Sequence, residues 1–185
     1  MASTKDFEEL AKVIPNCYRM NLSEGKIEVV PVHHNTGRRE AILGNQITAW
    51  CLNNMSLVGE FGGPNTGWTL PLPDTTVRCP DYSVVLIARW NTLSNADREE
   101  AFPAIAPNFV VEIRSQSDTE DKVHENMIMW MNAGVEEGFS IDPFTHRARI
   151  YSIMRHQIHW REYANPTTLT SNVLNGFVLN LQGII

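Results

Sequence analysis

Two short stretches constrain this chain most. Ser83-Val84-Val85-Leu86-Ile87-Ala88 and Phe109-Val110-Val111-Glu112-Ile113 are apolar at almost every position. A strand wetted on one face alternates apolar and polar residues, so strands that do not alternate must be covered on both faces. The chain therefore needs layers on either side of a central sheet, which is the plan of an α/β protein. Helical patterns supply those layers. Phe7, Leu10, Ala11 and Ile14 recur at helical spacing between Ser3-Thr4 and Pro15. Ile42, Leu43, Ile47, Trp50 and Cys51 predict a second amphipathic helix, from Gly37 to about Asn54. Val123, Met127, Trp130 and Met131 predict a third, opened by the capping-box pattern Ser117-Asp118-Thr119-Glu120 and ended by Gly134.

Further strands read from the remaining apolar runs and turn residues. Cys17–Leu22 and Lys26–Val30 flank Ser23-Glu24-Gly25 as a hairpin. Leu57–Phe61, Trp68–Leu70 and Tyr82–Ala88 are parted by Gly62-Gly63-Pro64 and Pro71-Leu72-Pro73-Asp74. Trp90–Phe102 is polar, a surface helix or ordered loop. Glu137–Asp142, Ala148–Met154 and Gln157–Tyr163 follow, turning at Pro143-Phe144-Thr145 and Arg155-His156, and Leu174–Leu181 reads as a last strand. The expectation is a mixed central sheet flanked by helices, with additional antiparallel strands. Its 185 residues suit a single domain, an N-terminal helix over 1–15 followed by a core over 16–185.

Charge narrows the function classes. With 15 basic and 21 acidic side chains the net charge is −6, the opposite of the basic excess usual in proteins that hold nucleic acid by neutralising phosphates. Any nucleic-acid contact must be local or helped by a bound cation. No apolar run reaches the ~18 residues of a membrane span, and the first residues lack the apolar stretch of a secretion signal. An intracellular location, cytoplasmic or nuclear, is expected. Cys17, Cys51 and Cys79 share no CxxC spacing, which argues against a zinc knuckle or a disulfide scaffold. His33 and His34 read as loop residues, and His146, His156 and His159 as surface or packing residues. The tryptophans read as core or rim, with base stacking by Trp68 or Trp90 left open.

The polar intrusions carry the chemistry. Asp81 stands in Arg78-Cys79-Pro80-Asp81 just before the first buried strand, and Glu112 lies inside the second. A carboxylate there is costly unless paired or holding a metal. Alternation puts Glu112 and Arg114 on one face. Asp81 followed by Glu112-x-Arg114 is a variant of the PD…(D/E)xK pattern, with arginine in place of lysine. Two carboxylates and a strand carbonyl offer hard oxygens to Mg²⁺, which polarises a phosphodiester and activates water. On spacing alone, a buried Glu112–Arg114 ion pair with Asp81 capping a turn is an equal alternative.

The chain resembles the Uma-type family of restriction-endonuclease-like proteins in the PD-(D/E)xK nuclease superfamily. The blocks that carry the resemblance include Thr36-Gly37-Arg38-Arg39-Glu40-Ala41, Thr66-Gly67-Trp68-Thr69-Leu70-Pro71, Val77-Arg78-Cys79-Pro80-Asp81-Tyr82, Ala106-Pro107-Asn108-Phe109-Val110-Val111-Glu112-Ile113-Arg114-Ser115, Met131-Asn132-Ala133-Gly134-Val135 and Ile141-Asp142-Pro143. The resemblance implies a restriction-endonuclease-like core. Asp81 and Glu112, with the Ile113 carbonyl, would hold Mg²⁺ or Mn²⁺. Glu40 would be the supporting helix glutamate, and Arg114 would stabilise phosphate charge.

Two departures stand out. The family's helix reads Glu-Lys-Met where this chain has Glu125-Asn126-Met127, and Asn21 replaces a common glutamate. An amide can hold water but carries no positive charge and takes no proton at neutral pH. Arginine stays protonated and is a poor base. Asn126 is expected to face the site, and Lys122, a helical turn away, to be solvated. Two functions follow: a metal-dependent endonuclease acting on DNA, weakened by the missing lysine, or a catalytically inactive nuclease-fold module that binds nucleic acid or protein. A homodimer is expected for the first, because cutting both strands of a duplex needs two sites.

Overall fold

The computed structural model describes residues 1–15, 18–31, 34–74 and 76–185. Cys17 and His33 lie outside the described residues. A six-stranded mixed sheet forms the centre, built from β3 (Val58–Gly62), β6 (Tyr82–Leu86), β7 (Phe109–Ile113), β8 (Glu137–Asp142), β9 (Arg147–Met154) and β10 (Gln157–Ala164). Its order is β10-β9-β8-β7-β6-β3, and only the β7–β8 pair is parallel. A parallel neighbour needs a crossover, and α5 (Glu120–Asn132) provides it. A smaller sheet of β1 (Tyr18–Ser23), β2 (Lys26–Pro31), β4 (Trp68–Leu70) and β5 (Thr76–Arg78) has the order β2-β1-β5-β4.

The apolar strands are buried on both faces, as their lack of alternation requires. Val84, Phe109 and Val111 pack with Leu43, Ile47 and Cys51 of α2 (His34–Asn53), and with Leu174, Phe177 and Leu179 of the C-terminal segment. Val85 and Val110, offset by one residue, pack instead with Met127, Trp130 and Met131 of α5. Phe109 and Phe139 meet edge to face at 4.9 Å within the first core. Gly138 lets α5 lie close to β8, since a Cβ there would stand 2.3 Å from Met127 Cε. The smaller sheet closes its own core around Phe7, Met20, Leu22 and Val77, with Phe7 coming from α1 (Thr4–Ala11).

Several elements differ from the sequence expectation. The second helix begins at His34, not Gly37. Its first turn is polar, so the apolar stripe could not mark it. The strand from Tyr82 stops at Leu86, because Ile87 opens α3 (Ile87–Trp90). Trp90–Phe102 holds a second short helix, α4 (Asn95–Arg98), capped by Ser94. β5 and β11 (Thr168–Thr170) were not anticipated; each is three residues long, too short to show a period. β11 pairs with β12 (Val178–Asn180), the only strand within the expected Leu174–Leu181 stretch.

The cap of α5 is Thr119, whose hydroxyl accepts the Lys122 N–H at 3.1 Å. Ser117 is not the cap. It joins a separate turn in which Ser115 Oγ contacts Ser117 Oγ and donates to Asp118 Oδ2. Gly134, at φ +102°, follows the end of α5 as expected. Because Thr119 satisfies one orphan donor of the helix carrying Asn126, Thr119→Ala is expected to lower stability by about 1 kcal/mol in a denaturant melt. No helix among the described residues is long and apolar enough to cross a membrane.

Candidate functional site

Strand register brings the two acids together. β6 and β7 pair with Tyr82 opposite Val111, Ser83 opposite Val110 and Val84 opposite Phe109. One step beyond this ladder, the same register sets Asp81 opposite Glu112. Adjacent strands lie about 4.8 Å apart, so carboxylates on facing positions share one small volume. Asp81 Oδ2 accepts the Ile113 N–H at 2.5 Å, which locks the junction. Glu112 follows the parity of Val110 toward α5, where the Trp130 indole N–H donates to Glu112 Oε1 at 2.8 Å.

A third carboxylate and a cation complete the cluster. Arg19 reaches in from β1, with one terminal nitrogen donating to Asp81 Oδ1 and the other to Glu40 Oε1 of α2. Asp81 is fully buried and Glu40 nearly so. Burial pushes the Glu112 carboxyl up to about 8; the Asp81 charge adds to the rise, while the Trp130 hydrogen bond and Arg19 oppose it. Burial also raises Asp81 and Glu40, against the pull of Arg19. The guanidinium itself is held charged by Asp81 and Glu40 despite its own burial.

A cleft of about 100 Å³ opens over Glu112 and Arg19, while Asp81 and Glu40 lie buried behind its wall. Glu112, Ile113, Arg19 and Asn126 line it, together with Asn21, Arg78, Cys79, Ser115, Asp118 and Lys122. Asn126 faces the site as its helical position implied. Lys122 is exposed, as expected, but its side chain also forms part of the cleft wall. The Asn21 side-chain oxygen accepts the Cys79 N–H at 3.3 Å, tying β1 to the Arg78–Asp81 segment.

Arg114 lies elsewhere. Just past β7 the Arg114 N–H still donates to the Ile141 carbonyl at 2.8 Å, so the register with β8 runs on one step and sets Arg114 beside Asp142. The Arg114 guanidinium donates to Asp142 Oδ2 at 2.8 Å and to the Asp118 carbonyl at 3.0 Å, and it lies over Phe144. It lines a separate small cavity with Ser140 and Asp142. The guanidinium is taken up by Asp142 and does not line the cleft over Glu112, and no Glu112–Arg114 ion pair forms among the described residues. Trp68 is 1% exposed and its N–H bonds Ser83 Oγ at 3.0 Å, which removes it as a base-stacking surface.

Arg19 is the cluster member that motif reasoning missed. Its signal was present: Met20 and Leu22 are apolar and core-facing, so Arg19 and Asn21 must share the opposite face of β1. Arg78 stood inside the quoted motif without a role. Its Nη1 lies 3.8 Å from Glu28 Oε2, and its Nε has no partner among the described residues.

The chain as a whole has counterparts among known proteins. The profile of a family described as "Uma2: Putative restriction endonuclease" matches residues 4–182. The chain belongs to the Uma2 family. A crystal structure of a "putative nuclease" from Anabaena variabilis superimposes with a TM-score of 0.72 at 17% identity, covering 96% of this chain and 95% of that one. At that identity the match speaks for the fold alone. No curated protein matches the sequence.

The Uma2 donor set suits a hard divalent ion in kind. Asp81, Glu112 and the Ile113 carbonyl supply oxygen, and Glu112 Oε2 has no hydrogen-bond partner among the described residues. Among those residues no group of three or more His, Cys, Asp or Glu is placed to hold a metal. A carboxylate pair is nevertheless a common Mg²⁺ environment, since that ion keeps several of its waters. What stands against easy binding is Arg19, already seated on Asp81.

Proposed function

We propose that this Uma2-family protein is a metal-dependent endonuclease that hydrolyses DNA phosphodiesters slowly, with Mg²⁺ as its ion and Mn²⁺ as a substitute. The observation that carries the reading is the register that sets Asp81 beside Glu112, with Glu112 lining a cleft and Asp81 buried behind it. When bound, the ion would polarise the phosphate and neutralise the leaving oxygen. The chain's own groups do the rest. Asp81, Glu112 and the Ile113 carbonyl would hold the ion. Glu40, linked to Asp81 through Arg19, sets the orientation of the Asp81 carboxylate.

Arg78 is the cleft arginine with the weaker internal partner, so it is assigned to a backbone phosphate. Asn126 orients water but moves no proton. Lys122, on the same face of α5 one turn earlier, brings a positive charge to the cleft wall. Arg114 acts by positioning: its bond to the Asp118 carbonyl holds the Ser115–Asp118 turn beside the cleft. A homodimer would provide the second site that a duplex cut requires.

Purified protein with Mn²⁺ should nick supercoiled DNA. Chelation should stop the reaction and Glu112→Ala should abolish it. Nicking that survives Glu112→Ala assigns the activity to a contaminant and defeats the proposal. The competing reading, a binding module without catalysis, draws on Asn126 and on the Arg19–Asp81 ion pair. DNA retention without cleavage in any divalent metal would favour it.

A further inference from the structure

We propose that Arg19 is a resident counter-cation of the carboxylate cluster, and that a divalent ion gains Asp81 only by displacing its guanidinium. This deepens the proposed function and rests on its assignment of a metal to Asp81 and Glu112. Three observations carry it. The guanidinium sits between two buried carboxylates from different elements, bonded to Asp81 Oδ1 through one nitrogen and Glu40 Oε1 through the other. Glu112 adds its field to the same cation. Arg19 Nε is buried with no partner among the described residues, so the side chain is held by its two carboxylates and by nothing at the Nε position.

The electrostatics point one way. A planar guanidinium bridging two carboxylates satisfies both in a low-dielectric setting, where it competes directly with any other cation. Asp81 has its second oxygen on the Ile113 N–H, so its free ligating capacity lies mainly on the side Arg19 covers. Glu112 has no arginine of its own among the described residues; it is held by Trp130. One guanidinium therefore serves two of the three carboxylates, with Glu112 left facing the cleft. Arg19 comes from the smaller sheet whereas Asp81 and Glu112 border the central one, so release of Arg19 requires no break in the β6–β7 ladder. A displaced guanidinium would remain at the cleft, where a phosphate can receive it.

Mn²⁺ binding, read by the loss of the free-ion signal in electron paramagnetic resonance, tests this without reference to cleavage. Arg19→Gln should bind Mn²⁺ at least tenfold more tightly than the wild type, and Asp81→Asn in that background should remove the gain. Its melting temperature should also rise more on Mn²⁺ addition than that of the wild type. Equal affinity in the wild type and Arg19→Gln, lost in both on Asp81→Asn, would leave the metal site standing and overturn the role of Arg19. Absence of binding in every form would overturn the metal site and this proposal with it. Should Arg19→Gln fail to fold, Arg19→Lys keeps the charge but not the two-pronged bridge; an affinity no higher than wild type there overturns the proposal.

Discussion

Asn126→Lys is expected to cut supercoiled DNA about a hundredfold faster than the wild type in Mg²⁺, at the low end of the 10²–10⁴-fold that a positioned acid–base group contributes. Asn126 lines the cleft above Glu112 on a helix fixed by the Trp130–Glu112 hydrogen bond. A lysine there would carry the charge and the exchangeable proton that the amide lacks. The outcome also decides what Lys122 does. If Lys122, a turn away on the same wall, already supplies that charge, Asn126→Lys changes little and Lys122→Met removes the wild-type activity. If Asn126 marks a lost group, Lys122→Met is silent and Asn126→Lys is not. Single-turnover rates on one plasmid substrate separate the two cases.

Stability should fall as pH rises from about 4.5 to about 8. The Glu112 carboxyl is pushed from an ordinary 4.5 to about 8 by burial and by the charge of Asp81. Between those values the folded protein holds a proton that the unfolded chain has released, so raising the pH favours unfolding. Asp81 and Glu40, also raised, act in the same direction. Asp142 is lowered, chiefly by the Arg114 hydrogen bond working against burial, and its contribution is lost only under more acidic conditions. A shift of this size amounts to a fall in melting temperature of roughly 5 °C or more across the window. Glu112→Gln, which cannot ionise, should flatten the profile. A wild-type melting temperature that is level or rises with pH would show that Glu112 keeps its charge in the folded protein.

The sequence and the structure divide the site unevenly. Glu112 was legible because it breaks a run whose apolar character is otherwise continuous, and Asp81 because it adjoins another; a buried acid demands a reason. Asn126 was legible from helical spacing against Val123 and Trp130. Glu40 could be placed on a helix but not in the cluster. Arg114 misled, because sharing a strand face does not fix where a long side chain ends, and Asp142 of the neighbouring strand takes its guanidinium.

What the sequence determined by itself was the architecture and its two acids. Burial on both faces follows from composition within a few consecutive residues, and periods of two or about 3.6 record which side of an element is covered. The tertiary structure alone decided the charge balance of the site. Arg19 lies 62 residues from Asp81 and 21 from Glu40, and no local period records such distances. Which cation meets which carboxylate is set by how the smaller sheet and α2 pack against the central strands. Those contacts determine whether the two acids stand open to a metal or already hold an arginine.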